Sequence, residues 1–178
     1  MKERITKIRF FIDYEKEEQW VNEMCQQGWH LKKFGIANYQ FEKGKPDEYI
    51  YRNEMLSGLG TKDKIDEYID FLKETGIELV SKSSTWVYFR KKKEEGPFEL
   101  YSDTSSKIQY LNRIIYLFTF FAIINYFFGI SNFIKPFNML LTVIAILNFL
   151  VAILITLPLY KVYKRRKTLK TKLDIFHD

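Results

Sequence analysis

The chain has 178 residues, a formal net charge of +6 at pH 7, one Cys and two His. A single Cys excludes an intrachain disulfide, which suits a reducing compartment, and so few Cys and His exclude a zinc-type ligand cluster. The charge is unevenly placed: residues 1–106 carry 18 Lys and Arg against 20 Asp and Glu, whereas residues 107–178 carry 10 against 2. The N-terminal part therefore lacks the clustered cations that phosphate-backbone binding needs, and nucleic acid is excluded as a partner.

Ile8, Phe10 and Ile12 alternate with Lys7, Arg9 and Phe11, which predicts a strand over about Ile5 to Ile12. The apolar run Phe10-Phe11-Ile12 is too short for a signal-peptide core, so the first hundred residues are expected in the cytoplasm. Asp13 reads as an N-cap, with Glu15, Glu17 and Glu18 favourably placed in the first helical turn. That helix runs to about Gln27, buries Trp20, Val21 and Met24, and stops at Gly28. Cys25 falls on its apolar face and reads as a small buried hydrophobe. Strands follow at Trp29 to Phe34 and Asn38 to Lys43, with a turn at Gly44-Lys45-Pro46-Asp47.

A fourth strand covers about Glu48 to Arg52. The loop Ser57-Gly58-Leu59-Gly60 leads to Thr61 as a second N-cap. Ile65, Tyr68, Ile69 and Leu72 form the apolar stripe of a second helix, and Gly76 ends it. Strands at Ile77–Ser81 and Thr85–Lys91 complete the set. The order is strand, helix, strand, strand, written twice at an offset of about 48 residues (about 4–43 and 48–91). Trp20-Val21 matches Tyr68-Ile69, Met24 matches Leu72, Gly28 matches Gly76 and Leu31 matches Leu79. Tyr39 and Phe41 match Trp86 and Tyr88 one residue out of step. The expected fold is α+β: duplicated β-α-β-β units in an antiparallel-rich sheet, both helices on one face. Trp86 and Tyr88 alternate with the equally apolar Val87 and Phe89, so the last strand is central and covered twice, or faces a partner.

Residues 1–93 thus form a cytoplasmic domain, and residues 94–110 a short linker with a helix cap at Asp103 or Thr104. Two apolar segments follow, at 111–131 and 137–160, each long enough to cross a bilayer. Lys135-Pro136 lies between them, and a basic tail fills 161–178. The basic residues Lys161, Lys164, Arg165, Arg166 and Lys167, with Lys170 and Lys172, orient this hairpin with both termini in the cytoplasm and offer contacts to membrane lipid. Between Ile114 and Ile134, and again between Phe137 and Tyr160, there is no charged residue. Asn125 and Asn148, at similar depth, are the polar exceptions, suited to hydrogen bonds across the hairpin or between copies. The expected protein is a two-pass component of the cell membrane.

No nucleophile elbow, P-loop or dinucleotide fingerprint occurs, and neither enzyme chemistry nor a cofactor is expected. The stretches Asp13–Met24, Gly28-Trp29-His30-Leu31, Tyr39-Gln40-Phe41-Glu42, Pro46–Tyr51, Trp86–Lys91 and Pro97–Asp103 resemble, as a set, the domain-of-unknown-function 2812 family. The resemblance implies a bacterial protein with apolar segments after its domain, encoded near PadR-type regulators, and implies no reaction. In topology alone, duplicated β-α-β-β units also resemble the drug-binding GyrI-like domains, which hold apolar ligands between the copies. That likeness makes Trp29, Tyr49, Tyr51, Trp86 and Tyr88 candidate liners of a ligand or partner surface. The expected function is a membrane-anchored binding or regulatory module acting through a protein partner or a homo-oligomer. The alternatives are a sensor of a small apolar ligand or lipid, and a subunit of a membrane complex.

Overall fold

A computed structural model describes residues 3–11, 13–56, 60–101, 103–136 and 138–175. The expected strand end at Ile12, the loop residues Ser57, Gly58 and Leu59, and the end of the tail at 176–178 lie outside them. The chain divides into two compact units, Met1–Leu100 and Tyr101–Asp178.

The first unit runs β1 (Arg4–Ile8), α1 (Tyr14–Gln26), β2 (Trp29–Phe34), β3 (Asn38–Lys43), β4 (Tyr49–Met55), α2 (Lys62–Glu74), β5 (Glu78–Ser83) and β6 (Trp86–Lys92). It is the α+β fold of duplicated β-α-β-β units. All strand pairs are antiparallel, and the strands form two three-stranded sheets, β1-β3-β2 and β4-β6-β5. Asp13 caps α1 by accepting the Glu15 N–H at 3.1 Å, whereas Thr61 stands at the N-cap of α2 without a side-chain bond.

The duplication holds at the level of backbone detail. Both ends of α2 lie 48 residues after those of α1. Gly28 and Gly76, at φ 81° and 83°, take the left-handed conformation that stops each helix. A bulge interrupts β2 between Leu31 and Lys33, and another interrupts β5 between Leu79 and Ser81. At this same offset Tyr39 and Phe41 correspond to Val87 and Phe89, not to Trp86 and Tyr88; the first strands of the copies are one residue out of step, since Ile5 stands opposite Phe41 and Arg52 opposite Phe89.

This register decides where the helices sit. Val21, Met24 and Cys25 of α1 share a buried cluster with Leu31, Phe34, Tyr39, Phe41, Tyr51 and Tyr88. Ile69 and Leu72 of α2 share another with Leu56, Ile77, Val87, Phe89 and Phe98. Strand residues alternate between faces, so the two helices cover opposite faces of β6, not one face. This is why β6 is apolar on both sides: it is the central strand of its sheet and is covered twice. Phe98 and Leu100, expected in a linker, pack on the second cluster.

The two copies are joined through α1. In β4 the even residues pair with β6, as the flanking bonds from Lys93 N–H to Glu48 C=O and from Leu56 N–H to Thr85 C=O show. The odd residues therefore point their backbone outward, and α1 meets them. Asn22 accepts the Tyr51 N–H at 2.8 Å and donates Nδ2 to the Tyr51 carbonyl at 3.0 Å. Glu18 Oε2 accepts the Asn53 N–H at 2.9 Å, and Cys25 Sγ lies 3.3 Å from the Tyr49 carbonyl. Residues 18, 22 and 25 share one helical face, so α1 completes the edge that β4 leaves open.

β1 is shorter than expected and turned over. Ile5 and Phe11 pack on the core, while Ile8 and Phe10 are 85% and 66% exposed. The reason is the pairing: Ile5 and Lys7 stand opposite Phe41 and Tyr39, which fixes the odd residues to the inner face.

The second unit is a helical hairpin of α3 (Thr104–Phe133) and α4 (Met139–Ile175). Asp103 caps α3 by accepting the Ser106 N–H at 2.7 Å. Both helices are long and apolar enough to cross a membrane. They meet through small residues one heptad apart, Ala122 and Gly129 on α3 and Ala145 and Ala152 on α4, all buried. A Cβ at Gly129 would come within 3.1 Å of the Phe149 ring, so glycine sets this close approach. α4 continues unbroken through the basic segment, with Pro158 inside it.

Asn22→Ala leaves the half-buried Tyr51 N–H of β4 without a partner and its carbonyl with Arg52 Nη1 alone, at 3.1 Å. It should cost about 2–3 kcal/mol of stability, by the usual penalty for unpaired groups. Exposed Glu23→Ala on the same helix should stay within about 0.5 kcal/mol. Denaturant unfolding of the detergent-solubilised chain, read by fluorescence, checks this. All three Trp (Trp20, Trp29 and Trp86) lie in the first unit.

Candidate functional site

Between the two sheets lies a cleft of about 190 Å³, lined by His30 and Lys32 of β2, Glu42 of β3, Gly44, Lys45 and Glu48 of the following turn, Tyr49 of β4 and Arg90 of β6. Both repeats contribute to it, and its lining is predominantly polar.

His30 forms the floor. Its Nε2 lies 2.8 Å from the Lys45 carbonyl and 3.6 Å from Glu48 Oε2, and its ring meets Tyr49 edge to face at 5.1 Å. Gly44 is required here, because a Cβ would run into the imidazole. Gly28 supports the same corner: its N-terminal neighbour α1 ends there, and a Cβ on it would stand 3.0 Å from the Gly44 carbonyl. On the opposite wall Arg90 lies over the Tyr49 ring at 4.0 Å. Its Nε and Nη2 are each 2.7 Å from Glu78 Oε2. Burial alone would lower the Arg90 guanidinium, but Glu78 and the Tyr51 hydroxyl together outweigh it and hold the group above its usual value. Burial pushes the Tyr49 phenol up, with Arg90 opposing. The cleft thus holds fixed cations, carboxylates and an imidazole in a small polar space, which suits a small polar or charged ligand better than an apolar one.

The five aromatic candidates do not line one groove. Tyr49 lines the cleft. Tyr51 and Tyr88 are fully buried in the core. Trp29 is half-buried beneath the Lys43 ammonium at 4.4 Å, and Trp86 stacks on Tyr14 with centroids 6.0 Å apart. Asn125 and Asn148 lie at the same depth, since their neighbours Tyr126 and Phe149 pack at 6.4 Å. Each nevertheless donates to its own helix, to the carbonyls of Phe121 and Ile144, both at 2.9 Å. Lys161, Lys164, Arg165, Arg166 and Lys167 lie on the helical continuation of α4.

His30, Gly44, Glu48 and Arg90 carry no sequence signal as a set, because two strands and a turn bring them together. Among the described residues, no group of three or more His, Cys, Asp and Glu is placed to hold a metal ion. Cys25 is buried, and burial pushes its thiol up, which leaves it a poor nucleophile.

A second polar cluster lies inside the core. Tyr88 Oη donates to Glu17 Oε1 at 3.2 Å, and the Tyr39 hydroxyl faces the same carboxylate. Burial raises the Glu17 carboxyl, and these hydroxyls only partly offset it.

Two outcomes follow from this geometry. Gly44→Ala should destabilise the first unit by about 1–3 kcal/mol, the usual cost of overpacking. In a His30→Ala background, where the clashing ring is gone, most of that cost should vanish in a double-mutant cycle. Glu17 is raised in the folded state, so the stability linked to it is present below pH 4.5, the ordinary carboxyl value, and is lost as pH rises through its folded value. Glu17→Gln should remove that decline, so the stability gap between variant and wild type should widen in favour of Gln from pH 4 to pH 7.

No curated protein and no solved structure matches the chain. The family profile described as "Protein of unknown function (DUF2812)" matches residues 13–123, from the cap of α1 to about two thirds of the way along α3. The match covers more than half of the sequence and includes every cleft residue, and on it the chain belongs to the DUF2812 family.

Proposed function

We propose that the chain is a two-pass protein of the cell membrane whose N-terminal unit is a non-catalytic binding module on the cytoplasmic side, acting through a protein partner or further copies of itself. One observation carries this reading. The large exposed apolar residues run from Tyr116 of α3 to Ile134 just past its end, and from Met139 to Tyr160 on α4. At about 1.5 Å per residue these stretches span about 27 Å and 32 Å, close to the roughly 30 Å of a bilayer core. Tyr116, Tyr160 and Tyr163 stand exposed at one end, as interfacial aromatics do. Beyond Tyr160 come Lys161, Lys164, Arg165, Arg166 and Lys167, at the level of anionic lipid head groups.

The polar cleft favours a small charged or polar ligand for the module. A sensor of apolar ligands using the five aromatics is less well supported, because Tyr51 and Tyr88 are already spent on the core.

A reporter active only outside the cytoplasm tests the topology. Inserted at 131–136 it should be active, and fused after residue 178 it should be silent. Activity at the C-terminus, or silence at the link, would overturn the reading.

A further inference from the structure

The two sheets have four outer strands, and three are accounted for. β2 and β5 run beside each other, and the edge of β4 is completed by Glu18, Asn22 and Cys25 of α1. β1 is left. The repeat offers it no equivalent cover: the residues 48 positions after Glu18 and Asn22 are Asp66 and Asp70, both exposed, and Asp70 pairs with Lys73 of its own helix at 2.7 Å.

The pairing of β1 shows which of its backbone groups are open. Lys43 N–H donates to the Glu3 carbonyl and Arg9 N–H to the Ala37 carbonyl, so the odd residues face β3. The N–H and C=O groups of Arg4, Thr6 and Ile8 point outward, and no described residue bonds to them. Ile8, Phe10 and Ile36 are exposed at one end of this edge, at 85%, 66% and 85%. Exposed apolar groups on an open edge mark a strand-pairing site.

We propose that this edge pairs with β1 of a second copy, antiparallel and centred on Thr6. The strand is self-complementary in that register. Thr6 stands opposite Thr6 of the second copy, a favourable cross-strand pair, and each Arg4 stands opposite an Ile8, so its aliphatic stem covers that side chain. Lys7 stands opposite Ile5, and no like charges face each other directly. The outward groups of Arg4, Thr6 and Ile8 all find partners, and two three-stranded sheets become one of six strands. The two Lys7 side chains approach only diagonally, a repulsion that salt screens. Copies anchored in one bilayer, as proposed above, share an orientation and a raised local concentration, which suits so short a strand.

Disulfide trapping of the full chain in membranes tests the register. Directly opposed hydrogen-bonded residues have Cα atoms about 5.5 Å apart, within disulfide range. Thr6→Cys should therefore give a covalent dimer under mild oxidation. Ile8→Cys should not, because its mates would lie four residues apart, about 13 Å along the strand. Mixing Arg4→Cys with Ile8→Cys chains should restore cross-linking. Wild type, whose Cys25 is buried, is the blank. At least about ten-fold more dimer from Thr6→Cys than from Ile8→Cys is expected, given the distance limits on disulfides. No dimer from Thr6→Cys, or equal yields from both, would overturn the proposal. All these positions are exposed, and membrane insertion is read separately by the reporter.

Discussion

The N-terminal unit depends on one face of one helix. Glu18, Asn22 and Cys25 of α1 bond to the outward backbone of β4, a strand of the other repeat. An open strand edge is costly to leave dry and hazardous to leave wet, and here a helix closes it. The same helix packs its apolar face on Tyr39 and Phe41 of its own repeat. α1 thus belongs to both copies at once, and two units too small to be stable alone share one core. Arg52 adds to this tie, reaching Glu18 at 3.4 Å and Glu99 at 3.3 Å.

Much of this unit was legible in the sequence because its signals are local. The cap at Asp13, the stops at Gly28 and Gly76, and strands β2 and β3 follow from residue type and period alone. The duplication was legible too, although its register was not: Trp86 and Tyr88 mimic Tyr39 and Phe41 in chemistry, while Val87 and Phe89 replace them in space. The inner face of β1 was misleading for a related reason. Its own alternation favours Ile8 and Phe10, and pairing with β3 overrules that choice. The polar cleft had no signature, since His30, Gly44 and Arg90 converge only through sheet topology. The aromatic candidates were chosen for their chemistry, and burial separates them: Tyr49 reaches the cleft while Tyr51 and Tyr88 serve the core.

The helical hairpin works on other terms. In an apolar solvent, burying leucine gains little, and close backbone approach takes over. Ala122, Gly129, Ala145 and Ala152 provide that approach, and bulky residues are turned outward. Asn125 and Asn148 satisfy themselves on their own helices, so the pairing of α3 with α4 rests on shape.

Pro158 gives α4 a property that its length conceals. Lacking an N–H, it cannot bond to the carbonyl of Leu154, one turn earlier. The helix is softest at that point, where the exposed apolar surface gives way to the cationic segment. The 15 residues from Lys161 to Ile175 become a lever arm of about 20 Å. A bend of about 20° at Pro158, modest for a proline kink, would sweep its far end through about 7 Å and leave the apolar part in place. A bend at residue 158 would thus redirect the cationic segment while the apolar part keeps its place.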